Sequence, residues 1–178
     1  MQKIVLILLA TFLLTSCGSS KNKRVVTRKP ETTKTVKKTN KRNKNNTVVL
    51  PVIAQSIINN AEKYEGIRYK YGGTTKKGMD CSGLIYTAFK EGNIAIPRVS
   101  SEMAKTGDWI DLKTVREGDL LFFATKKNTR KVNHVGLVTA INGKDVEFIH
   151  ATTSGGVITS KLKEKYWYFA FVQARRVL

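Results

Sequence analysis

Cysteine and histidine are scarce in this chain of 178 residues, which holds two of each. Cys17 closes an apolar N-terminal segment, so everything after it has only Cys81, His134 and His150 as thiol and imidazole groups. That excludes a disulfide framework in the body of the chain, and a zinc site would lack a fourth ligand. Acidic residues are also few: 13 Asp and Glu stand against 32 Lys and Arg, a net charge of +19. The apolar run from Ile4 to Ala10 falls far short of the roughly 20 residues that a membrane-spanning helix needs. No internal repeat is visible, which excludes a solenoid or array.

What is present begins with an export signal. Lys3 precedes the run Ile4 to Ala10, and Leu14-Thr15-Ser16-Cys17 resembles the site at which a bacterial lipoprotein is diacylated on cysteine and cut before it. Residues 1–16 then read as a lipoprotein signal peptide, and Cys17 as the lipidated first residue of the mature chain. This places the protein in the cell envelope, held by lipid and expected at the outer membrane facing the periplasm. An ordinary secretory signal is the alternative, and both carry the chain out of the cytoplasm.

Residues 17–46 follow as a basic tether. From Lys21 to Asn46 there are eleven basic residues against the single acid Glu31. Such a segment buries no core and repels itself, so disorder is the expectation. A basic arm suits nucleic acid, but an exported chain meets none. Its available polyanions are phospholipid, lipopolysaccharide and cell-wall carboxylates. The segment is a spacer or a wall-binding arm. Residues 47–178 form the remaining unit, long enough for one domain with one core. Nothing in it signals oligomerisation, and a monomer is expected.

Within that unit, Ile53, Ile57, Ile58, Ala61 and Tyr64 repeat at helical spacing up to Gly66. Tyr69 to Thr74, with Gly72-Gly73, reads as an extended piece and a tight turn. Cys81, Leu84, Ile85, Ala88 and Phe89 mark a second helix ending near Gly92-Asn93, and a short helix is expected from Ser100 or Ser101. After Gly118-Asp119 the pattern becomes β-rich. Strands are expected at Leu120–Ala124, His134–Ile141, Val146–His150, Val157–Ser160 and Tyr168–Arg175, with Asn142-Gly143-Lys144-Asp145 as a hairpin turn. Helices first and strands after predict an α+β domain.

Cys81 would then head a helix, while His134 begins one strand and His150 ends the next. Adjacent antiparallel strands bring the two histidines to one sheet end by register. A cysteine at a helix N-terminus meets unpaired backbone N–H groups and the positive end of the dipole, which favour thiolate. The set is that of a thiol nucleophile, its base and an orienting partner. A buried small hydrophobe is the plainer reading of any single cysteine.

The stretches Tyr69-Lys70-Tyr71-Gly72-Gly73, Lys76-Lys77-Gly78-Met79-Asp80-Cys81-Ser82-Gly83, Pro97-Arg98, Gly118-Asp119-Leu120, His134-Val135-Gly136 and His150-Ala151-Thr152 together resemble the NlpC/P60 cysteine peptidases. The likeness is strongest to single-domain murein endopeptidase lipoproteins of the Spr (MepS) kind. It implies a papain-like α+β domain, with N-terminal helices packed on a five- to six-stranded antiparallel sheet. It further implies Cys81 as nucleophile, His134 as base and His150 as the residue that fixes the His134 ring. Tyr69 matches a tyrosine that polarises the scissile carbonyl, though a core aromatic would also fit. Asp80 and Ser82 match residues contacting the stem peptide; Asp80 equally suits a helix N-cap. Arg98 and Ser101 match a segment lining the substrate groove, although Val99 and Ser100 depart from the usual hydroxyl-first order there.

The implied activity is peptidoglycan hydrolysis: a peptide bond of the stem or cross-link, next to the diamino acid, cut through a Cys thioester with no metal or other cofactor. The alternatives are a catalytically idle wall-binding lipoprotein, or a Cys-dependent amidase or acyltransferase on a non-wall substrate.

Overall fold

The computed structural model describes the backbone of residues 46–178 and the side chains from residue 52 onward. The signal segment, Cys17 and the tether up to residue 45 lie outside the described residues. Helix α1 (Asn46–Glu62) buries Ile57, Ile58 and Ala61, the stripe expected from their spacing. It packs on α2 (Cys81–Glu91), which turns Leu84, Ile85, Ala88 and Phe89 inward. Two polar ties fix the pair: Asn60 Nδ2 donates to the Ala88 carbonyl at 3.2 Å, and the Tyr64 hydroxyl donates to the Glu91 carboxylate.

Between the helices, β1 (Thr74–Thr75) and β2 (Gly78–Met79) form a small hairpin. A short α3 (Ser100–Met103) follows α2, then β3 (Asp108–Ile110) and a 3-10 turn at Leu112–Thr114. The remaining elements are β4 (Leu120–Phe123), β5 (His134–Asn142), β6 (Asp145–Thr152), β7 (Gly156–Lys161), α4 (Lys165–Ala170) and β8 (Phe171–Arg176). Strands β3 to β8 make one antiparallel sheet in the order β3-β8-β4-β5-β6-β7. The β5–β6 turn is the two residues Gly143-Lys144, with Gly143 at φ 63°, as a tight hairpin requires.

All four residues of β4 are buried because the sheet is covered on both faces. Leu120 and Phe122 join Val135, Leu137, Ile149 and Ala151 against the helices α1 and α2. Leu121 and Phe123 join Val138, Phe148, Trp167 and Ala174 on the opposite face. Each of these large side chains contributes roughly 1.5–3 kcal/mol by burial, so β4 is the spine of both cores.

The sheet has six strands, within the five to six that the resemblance implies, but two details of the periodicity reading change. The strand it missed is β3, whose three residues at the edge are too few for a period to show in the sequence. The last strand begins at Phe171 rather than Tyr168, because residues 165–170 are helical. The aromatic run looks β-prone. Trp167 and Ala170, three apart, must both face the core, and only a helical turn puts them on one side.

Candidate active site

Asp80 organises the start of α2. Its Oδ1 accepts from the Gly83 N–H at 2.6 Å, which caps the helix, and its Oδ2 accepts from the Gly72 N–H at 2.7 Å. Arg98 adds a two-pronged ion pair, Nη1 to Oδ1 at 3.0 Å and Nη2 to Oδ2 at 2.9 Å. Burial alone would raise the Asp80 pKa; the Arg98, Gly83 and Gly72 hydrogen bonds outweigh it and hold the carboxyl below its usual value. Arg98 Nη1 also donates to Ser82 Oγ at 2.8 Å. Gly83 is required here, since a Cβ on it would overlap the Gly73 carbonyl oxygen. Asp80, Ser82 and Arg98 thus form one cluster that pins the Gly72-Gly73 turn to the helix start.

Cys81 is the first residue of α2 and is buried. Burial pushes its thiol above the ordinary value, and the charge of Asp80 adds to this. Backbone N–H groups of Val135, Ser82 and Cys81 itself pull the other way without prevailing. The helix start supplies N–H groups that favour thiolate, as expected, while desolvation acts against them and pushes the thiol up. The Val135 contact matters in another way. It sets Cys81 against the start of β5, one residue from His134.

His134 and His150 stand together on the sheet face opposite α1 and α2. His134 Nε2 and His150 Nδ1 are 2.9 Å apart, and His150 Nε2 lies 3.0 Å from Ser160 Oγ on β7. Burial lowers His134 to about 4; burial, with the neighbouring His134, lowers His150 to about 3. Both rings are neutral at neutral pH. Trp167 stacks on His134, with centroids 5.3 Å apart and planes 20° from parallel, and meets His150 edge-on at 4.5 Å. The hydrogen bond to His150 occupies Nε2 of His134 and leaves Nδ1 as the nitrogen free to take a proton.

Tyr69 is half-buried and bridges to Met79, two residues before Cys81. Burial, then the proximity of Cys81, Asp80 and Tyr71, raises its pKa, so its hydroxyl keeps its proton. Ser101 stands apart: it is exposed on α3, and among the described residues its side chain makes no hydrogen bond to the cluster. Its neighbour Ser100 is the buried one. The described residues include no group of three or more His, Cys, Asp or Glu able to hold a metal ion.

A family model described as the NlpC/P60 family matches residues 66–176, a span that includes every residue of this site. The chain belongs to the NlpC/P60 family. Among curated NlpC/P60 relatives, it is 41% identical over 117 residues to a probable endopeptidase NlpC homolog of Haemophilus influenzae, covering 65% of this chain and 58% of that one. It is 37% identical over 127 residues to the murein DD-endopeptidase MepS/murein LD-carboxypeptidase of Escherichia coli, covering 71% and 64%. The chain thus spans about three fifths of the length of these two relatives. Among solved structures, an NlpC/P60 family protein from Bacillus cereus superposes with a TM-score of 0.64 at 30% identity, over 70% of this chain and 40% of that one.

Two site residues escaped the sequence reading. Trp167 is one of only two tryptophans, but it lies just before the run expected as the last strand and was assigned to no element. Ser160 had a usable signal. In the expected strand Val157–Ser160 it is the polar member of the face that Ile158 shares, and Ile158 pairs with His150.

Proposed function

We propose that this NlpC/P60 chain is a peptidoglycan endopeptidase of the cell envelope, a cysteine peptidase that cuts a stem or cross-link peptide bond next to the diamino acid. The observation that supports this best is the His134–His150 pair, in which His150 engages Nε2 of His134 and leaves Nδ1 unengaged, on the strand whose next residue, Val135, meets Cys81 through its backbone N–H. The endopeptidase names of the two curated relatives point the same way.

Cys81 Sγ attacks the scissile carbonyl carbon while its proton passes to His134 Nδ1. The resulting imidazolium is shared through Nε2–H with His150 and then protonates the leaving amine. The thioester that remains is hydrolysed by a water whose proton His134 accepts. Because both resting groups are neutral, thiol deprotonation is coupled to attack. Backbone N–H groups at the start of α2 and the Tyr69 hydroxyl are the donors for the oxyanion. Asp80, Ser82 and Arg98 hold that helix start in place, and Ser101 is left to the outer groove. The wall is the partner, with Cys17 as the lipid anchor to the outer membrane and residues 17–46 as the reach of the domain. A flexible segment of this length has a root-mean-square span of roughly 30 Å.

The test is digestion of purified peptidoglycan by the wild-type chain and by Cys81→Ser, with released fragments sequenced by mass spectrometry. Fragments in which an amine of the diamino acid has been freed, absent with Cys81→Ser, are the expected result. Undiminished digestion by a folded Cys81→Ser protein would remove Cys81 from the nucleophile role.

A further inference from the structure

Ser160 stands on β7, the strand beside the one that carries His150. It is buried, as is His150, and their contact of 3.0 Å takes up the ring nitrogen of His150 that His134 does not use. His150 is wholly shielded from solvent, so both its nitrogens need partners inside the protein. We infer that Ser160 is a positioning residue behind His150, whose hydroxyl can accept the Nε2–H of His150 and so supports the tautomers that leave His134 Nδ1 free as the base. The inference rests on the peptidase reading of the same site.

The reasoning follows the protons. For His134 to take the thiol proton at Nδ1, its own hydrogen must sit on Nε2 and be donated to His150 Nδ1. His150 must then carry its hydrogen on Nε2, which points at Ser160 Oγ. The opposite pattern, with hydrogen on Nδ1 of both rings, blocks the base. A buried N–H without an acceptor costs about 1–3 kcal/mol, enough to turn a balanced pair of tautomers away from the productive pattern once the hydroxyl is removed. With Ser160 present both patterns are satisfied at that end, since its hydroxyl can accept from or donate to His150 Nε2. Without it the productive pattern leaves an orphaned N–H.

Among the described residues, the side-chain rings packed against the two histidines are Phe123, Phe148 and Trp167, and the Asp80 carboxylate is occupied by Arg98 and by backbone N–H groups. Ser160 is held by β7, where it pairs in register with Phe148 on β6. It is buried there.

The experiment has two arms on the full domain. Long-range proton–nitrogen NMR of the imidazoles in the resting wild-type protein should show both histidines with hydrogen on Nε2; hydrogen on Nδ1 of His150 would overturn the inference whether or not the protein cuts wall. In steady-state cleavage, Ser160→Ala should lower kcat by roughly tenfold to a hundredfold with KM unchanged, as loss of a partner behind a catalytic ligand does. Ser160→Thr should restore most of it. A folded Ser160→Ala protein with wild-type kcat, or a Thr variant no better than Ala, would sink the idea. If Ser160→Ala fails to fold, the wild-type spectrum decides. If the protein cuts no wall at all, the spectrum still tests the tautomers, so the two failures are distinguishable.

Discussion

Trp167 lies nearly flat on His134, 20° from parallel at 5.3 Å, and presents the same ring edge-on to His150 at 4.5 Å. One side chain from the short α4 thus seats both imidazoles, and it does so from the sheet face opposite the helix that carries Cys81. Trp167→Ala should cost about 3–5 kcal/mol of stability, the range for emptying a buried aromatic site. Its kcat should fall as well, because His134 is freed to tilt. Trp167→Phe keeps a ring in the stack and should retain most of both. Urea denaturation and steady-state kinetics measure the two effects, and a Trp167→Ala enzyme with normal kcat would show that the stack is packing alone.

The buried histidines set an acid limit on the fold. Their pKa values near 4 and 3 lie below the unfolded value of about 6.5. Between those limits the unfolded chain binds more protons than the folded one, so stability rises with pH. This contribution is fully present above about pH 6.5 and is lost as pH falls toward 4. The melting temperature should be level near pH 7 to 8 and decline below pH 6. His150→Phe, which removes one of the two groups, should make that decline shallower; an unchanged slope would mean that other groups cause it.

Asp80 acts in a lower window. Its carboxyl is held below its usual pKa, so its stabilisation is present above the unfolded value of about 3.9 and is lost as pH falls through the folded one. Asp80→Asn should cost about 1–3 kcal/mol at pH 7 through the weakened Arg98 pair, and much less at pH 3. Arg98→Lys should be nearly as harmful as removal, because an ammonium cannot make the two parallel bonds to Oδ1 and Oδ2. Denaturation curves at the two pH values decide this, and equal losses at both would assign the effect to the helix cap rather than to the ion pair.

The anchor is tested by place. Cys17→Ala should release the chain from the membrane fraction into the soluble one, while leaving cleavage of soluble wall fragments as it was. Full membrane retention of Cys17→Ala in high salt would argue against lipid at that residue. Among the described residues no helix is long and apolar enough to cross a membrane, so such retention would have to come from elsewhere.

The family, the α+β class and most elements were legible in the amino-acid sequence because each rests on local pattern. The stripe Ile57, Ile58, Ala61 and the face Leu84, Ile85, Ala88, Phe89 repeat at the helical period, and the Gly143 turn declares the β5–β6 hairpin. That hairpin alone brings His134 toward His150, so their meeting followed from connectivity. The edge strand β3 was hidden by its brevity, and α4 was hidden because an aromatic run favours strand until the core requires Trp167 and Ala170 on one side.

What the tertiary structure alone decided concerns charge and partners. The sequence placed Cys81 at a helix N-terminus, where the dipole favours thiolate; burial, which depends on what the rest of the chain packs over it, pushes the thiol the other way. Asp80 had two possible employments, and only the fold brings Arg98, Gly72 and Gly83 around it at once. Ser160 and Trp167 reach the histidines from β7 and α4, elements distant in sequence from His134. Residue type and spacing determine what chemistry a chain can perform locally, whereas desolvation and long-range contact, which set protonation and orientation, exist only after the sheet has closed over the site.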